Sequence, residues 1–109
     1  MSSVIPRKKE EQIESFWQQL NTVLDPEIGY GIVDLGLVYD VQVKKGIATV
    51  VMTLTSPMCP AGPEIMEGVQ TALRGFDGIS DVIVDLVWEP TWTDEMVDSD
   101  IRGMLFGTD

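Results

Sequence analysis

Histidine is absent from the 109 residues, and cysteine occurs once, at Cys59. The first absence excludes a Ser-His-Asp triad, a Cys-His dyad and any His-ligated zinc or haem site. A lone cysteine excludes an intramolecular disulfide framework and any cluster held by four thiolates of one chain. Basic side chains are also scarce, seven against 18 acids for a formal charge of -11, which argues against binding nucleic acid by phosphate neutralisation. No run of about 18 apolar residues exists, so no segment reads as a membrane span. The basic cluster Arg7-Lys8-Lys9 follows only a very short apolar stretch, the reverse order of a secretory signal. A cytoplasmic protein with a reduced thiol is expected. What remains is an ordinary globular composition, 44% hydrophobic, suited to a single domain over residues 1–109 with a modest core.

Periodicity supplies the elements. Ile13, Phe16, Trp17, Leu20 and Leu24 recur at helical spacing, which predicts a first helix over roughly Lys8 to Leu24 with these five on its buried face. Asp25-Pro26 stops it, and Ile28-Gly29-Tyr30-Gly31 reads as a loop made pliable by two glycines. The pattern then changes to period two. Leu37, Tyr39, Val41 and Val43 alternate with Val38, Asp40, Gln42 and Lys44, and a second run from Ile47 to Thr55 follows Lys45-Gly46, which predicts a β-hairpin. After the proline-rich stretch Ser56 to Pro63, a second helix is expected over Ala61 to Arg74, burying Ile65, Met66, Val69, Ala72 and Leu73 and capped by Gly75. Ile79 to Trp88 reads as a third strand. A short helix beginning at Asp94 or Asp98 and reaching Phe106 would carry Val97, Ile101 and Leu105. The order α-β-β-α-β-α implies an α+β, two-layer domain. Its small mixed three-stranded sheet would be covered by helices on one face, with a right-handed crossover between the second and third strands.

Chemistry concentrates in few places. Cys59 lies just before the predicted second helix, where the dipole and unpaired amides favour thiolate, the form that attacks electrophiles or binds soft metals. Hydroxyls of Thr53, Thr55 and Ser56 could donate to that sulfur. The competing reading is a buried structural cysteine. Asp25, Glu27 and Asp34 bracket a glycine-bearing loop and, beside a thiolate, could coordinate iron or accept protons; each could equally be a turn residue. Trp88 and Trp92 flank Glu89-Pro90 and read either as a partner surface or as a lid on the core. Residues 76 to 109 hold nine acids and one base, Arg102, either a solvated face or a surface for a basic partner.

Four segments carry a resemblance: Asp25-Pro26-Glu27; Ile32-Val33-Asp34-Leu35-Gly36-Leu37-Val38; Thr53-Leu54-Thr55-Ser56-Pro57-Met58-Cys59-Pro60; and Glu89-Pro90-Thr91-Trp92-Thr93. In this order and spacing they resemble the SufT-like and PaaD-like family of small metal-sulfur cluster assembly factors, over Phe16 to Phe106. The resemblance implies a compact α/β domain that serves the maturation of iron-sulfur proteins, alone, fused to a cluster-carrier ATPase, or within an assembly complex. It places the reactive cysteine at Cys59, the acidic motif at Asp25 and Glu27, the aspartate-glycine motif at Asp34 and Gly36, and the threonine at Thr55 or Thr53. Met58 departs from the small residue common in the family. The segment Thr93 to Asp98 departs from the proline and Met-Ser pair of relatives. The chain shows no cysteine-rich C-terminal extension, which favours the short SufT-like type.

The expected function is therefore assembly or transfer of iron-sulfur clusters, with Cys59 as ligand or transient attachment point. One thiolate cannot hold a cluster alone, so a symmetric dimer, a client apo-protein of the assembly machinery or a small thiol would complete the set, and no cluster would be bound stably. The alternative is a metal-free adaptor that docks clients and carriers through its acidic C-terminal third, including Glu89 and Trp92. A cysteine-dependent enzyme is the weakest reading, because no histidine is present to act as base.

Overall fold

A computed structural model describes residues 15–26, 28–55, 61–76 and 78–98. Within them the order is α1 (Ser15–Leu20), β1 (Val38–Lys44), β2 (Ile47–Met52), α2 (Gly62–Leu73), β3 (Asp81–Leu86) and a 3-10 turn at Asp94–Met96. The sheet order is β1-β2-β3, with β1 antiparallel and β3 parallel to the central β2. This is the expected mixed α+β sheet.

The first helix stops earlier than its apolar spacing predicts. The amides of Thr22 and Val23 turn back to the carbonyls of Gln19 and Leu20, at 3.2 and 3.0 Å, and the Thr22 hydroxyl donates to Gln19 O at 2.6 Å. These short-range bonds close the last turn and end the α pattern. Trp17 and Leu20 are buried as expected, but Leu24 lies outside the helix, 54% exposed and bridged to Gly31. Where the final helix was expected to begin, a 3-10 turn spans Asp94–Met96; the rest of its expected span, with Ile101 and Leu105, lies outside the described residues.

The hairpin forms at Lys45-Gly46, where both residues have positive φ, 52° and 80°. That is the two-residue turn whose twist matches the strands it joins. In β2, Ala48, Val50 and Met52 are buried while Ile47, Thr49 and Val51 are not. The strict alternation predicted for β1 fails at one point. The register shifts between Val38 and Asp40, and this bulge buries the consecutive Val38 and Tyr39. Beyond it, Val43 emerges 41% exposed near the hairpin end.

Helix α2 carries Pro63 in its first turn and buries Ile65, Val69 and Leu73. Gly75, at φ +84°, follows the capping residue Arg74 just past the helix end, where a terminal glycine was predicted. The core joins these faces to Leu20, Ile32, Leu35 and Leu37. Burying each such side chain contributes about 1.5–3 kcal/mol, enough collectively to hold the loops beyond the sheet.

Candidate functional site

Past one end of the sheet, three loops are fastened together through backbone and side-chain bonds. The segment after α1 makes a tight turn: the Asp25 amide donates to Tyr30 O at 3.0 Å, and the Asp25 carbonyl accepts from Ile28 and Gly29 at 3.1 and 2.6 Å. Asp25 is thereby buried, 2% exposed. The chain then returns past the end of α1. The Asp34 amide donates to the Asn21 side-chain oxygen at 2.9 Å, and the Asp34 carbonyl accepts from the Asp98 amide at 2.7 Å. Asp34 is thus held through both of its backbone polar groups, with its side chain half-exposed.

The last described loop is fixed on the same platform. Tyr39 donates its hydroxyl to Pro90 O at 2.6 Å, and Trp92 donates its indole N–H to Leu35 O at 2.8 Å. The Glu89-Pro90 bond between them is cis. Tyr39 is wholly buried, and its phenol titrates above the ordinary 10.0 because burial disfavours the charged form, with the nearby Glu89 carboxylate adding to the effect. Trp92 is half-buried and Glu89 exposed.

Two glycines permit this packing. A Cβ on Gly31 would run into the Asn21 side chain and carbonyl, so this residue serves close approach rather than the pliability expected of it. Gly36 combines φ +76° with a Met96 carbonyl that a Cβ there would run into, which leaves no room for a side chain.

The third loop is the one between β2 and α2. Thr53 is buried, with its amide on Leu37 O at 2.8 Å and its hydroxyl on Leu54 O at 3.4 Å; Thr55 is half-buried. On the far side, the Leu54 side chain packs over Gly62, where a Cβ would approach it to 2.8 Å. Residues 54 and 62 therefore meet, and the connection begins and ends at one place. Cys59 and Glu27 lie outside the described residues, as does Met58. Among the described residues, no three Cys, Asp or Glu side chains gather in a way that could hold a metal ion, and no helix is long and apolar enough to cross a membrane.

The structure therefore unites Asp34, Gly36, Glu89 and Trp92, which the sequence read in two separate motifs. It also adds Asn21 and Tyr39, which that reading missed. Tyr39 reads as one apolar position of a strand, and only its hydroxyl reveals the second role. Asn21 carries no local signal beyond its place at the end of a helix.

Known proteins resemble this chain in sequence and in fold. Residues 13–86 match the model of a family described as iron-sulfur cluster assembly protein. The chain is 51% identical over 76 residues to the Fe-S protein maturation auxiliary factor SufT of Staphylococcus aureus, covering 69% of this chain and 86% of that protein. It is 44% identical over 81 residues to the auxiliary factor YitW of Bacillus subtilis, covering 73% and 79%. Among solved structures, a DUF59 domain from Bacillus anthracis superposes with a TM-score of 0.79 at 33% identity, covering 87% of this chain and 91% of that one. A conserved hypothetical protein from Thermotoga maritima gives a TM-score of 0.73 at 35% identity, covering 99% and 100%. With a family match spanning most of its length and such identities across nearly whole relatives, the chain belongs to the iron-sulfur cluster assembly protein family, among its SufT-like members.

Proposed function

We propose that the protein assists the maturation of iron-sulfur proteins, with Cys59 as thiolate ligand or transient attachment point for a cluster in transit and Asp25, Glu27 and Asp34 shaping the surrounding pocket. The observation that carries this reading is the 51% identity to a maturation auxiliary factor over 86% of that factor's length. Physical chemistry supports the role of the cysteine. Cys59 stands two residues before Ala61, the N-cap of the 12-residue helix α2, and a thiol near such a terminus is biased toward thiolate. The cluster is cargo: a single sulfur leaves most of its ligand positions to a second chain, a client or a small thiol, and release then needs only one Fe–S bond on this chain to be exchanged.

The test is genetic rescue by Cys59→Ser in a strain lacking the protein, with circular dichroism of the purified variant. Loss of rescue with an unchanged melting curve is expected. Full rescue overturns the thiolate role.

A second reading, a metal-free adaptor, is favoured by one observation: Asp81, Asp85 and Glu89 are exposed on the acidic C-terminal third. Anaerobic reconstitution with iron and sulfide separates the two, since cluster absorption dependent on Cys59 supports carriage.

A further inference from the structure

The bonds that attach β3 to β2 leave the other edge of β3 with a defined set of outward groups. Val87 and Asp81 donate their amides to Met52 O and Gly46 O, at 2.8 and 3.3 Å, so the odd-numbered residues face β2. Alternation then turns the amides and carbonyls of Val82, Val84 and Leu86 away from the sheet. The Val82 amide is taken by the Asp81 carboxylate at 2.9 Å. Among the described residues, no strand pairs with this side of β3.

The side chains beside that edge differ between the two faces. Asp81, Ile83 and Asp85 are exposed on one face, with Ile83 at 51%, while Val84 and Leu86 are half-buried against the core on the other. The pairing Arg74–Asp81, at 3.7 Å between two largely exposed groups, is a weak competitor. Two copies of β3 could not pair antiparallel through this edge without bringing four carboxylates together, which disfavours self-association.

We propose that the β3 edge is a docking site for an extended segment of another protein that adds as a fourth strand, alternating basic and apolar residues. Its backbone bonds Val84 and Leu86, its lysines or arginines lie beside Asp81 and Asp85, and its apolar side chains extend the covered face beside Val84 and Leu86. This deepens the docking reading by naming the partner's chemistry, and it is independent of Cys59.

The probe is a short synthetic peptide of alternating lysine and valine, titrated into the full chain. Binding is read by Trp88 fluorescence, since that residue is 41% exposed just past β3, and by hydrogen exchange of single amides. Saturable binding that slows exchange at Val84 and Leu86 is expected. The double variant Asp81→Asn, Asp85→Asn should bind about tenfold more weakly, and a peptide N-methylated on alternate residues should not bind. Val84 and Leu86 amides already protected in the free protein would overturn the proposal, as would equal binding of a glutamate-valine peptide. Binding that needs the aspartates but tolerates N-methylation would also overturn strand addition, while leaving acidic docking by side chains in place.

Discussion

Tyr39 and Pro90, 51 residues apart, are joined by a 2.6 Å hydrogen bond from the phenol to the carbonyl. The bulge in β1 sets this contact, because it buries Tyr39 beside Val38 and directs the hydroxyl to the loop that follows β3.

Tyr39→Phe should therefore lower stability by about 1–2 kcal/mol, the cost of a half-buried carbonyl losing its donor, measured by urea denaturation. The same site predicts an alkaline limit. The phenol's folded pKa is raised, so its contribution is intact below the ordinary 10.0 and is lost as pH rises from there through the folded value. The wild type should lose stability above that pH more steeply than Tyr39→Phe. Parallel profiles for the two proteins would contradict this assignment.

Gly29 and Gly36 both have positive φ but differ in surroundings. Nothing lies within 4 Å of a Cβ on Gly29, whereas one on Gly36 meets backbone of Met96. Gly29→Ala should cost about 1 kcal/mol from conformation alone. Gly36→Ala should cost at least about 3 kcal/mol, because the Met96 carbonyl must also move. Equal denaturation midpoints would show that the close approach is not what constrains Gly36.

Trp92→Phe keeps most of the ring packing but removes the donor to Leu35 O. A loss of about 1 kcal/mol is expected, together with faster hydrogen exchange at the Asp98 amide, which bonds Asp34 O at 2.7 Å on the same platform. Unchanged exchange at Asp98 would mean that the two anchors act separately.

Lys45 sits at φ 52° in the hairpin turn, a conformation that asparagine and glycine adopt more readily. Lys45→Gly should raise the urea midpoint, by about 0.5–1 kcal/mol in stability.

The hairpin, α2 and β3 were legible because their signals are local: period two, a glycine turn, helical spacing and a terminal glycine. The end of α1 was not, since Asn21 is engaged by Gly31 and Asp34, residues whose proximity depends on the folded loop. Leu24 illustrates the consequence, fitting a helical face by spacing and yet lying exposed beyond the helix. Burial of Val38 was hidden for a similar reason, because a bulge depends on the partner strand. Four motifs in register identified the family, but not that Tyr39 and Trp92 tie the last motif to the second.

The hairpin turn brings together residues adjacent in the chain, whereas Trp92 reaches Leu35 across 57 positions. Contacts of such different span imply an order of assembly, in which β1 and β2 meet early and the loop around Pro90 closes only after β3 has added to the sheet. Asp34 gains its bond from Asp98 in that last closure. A chain interrupted during folding would therefore display a paired hairpin on which Asp34, Leu35 and the loop around Pro90 are not yet tied together.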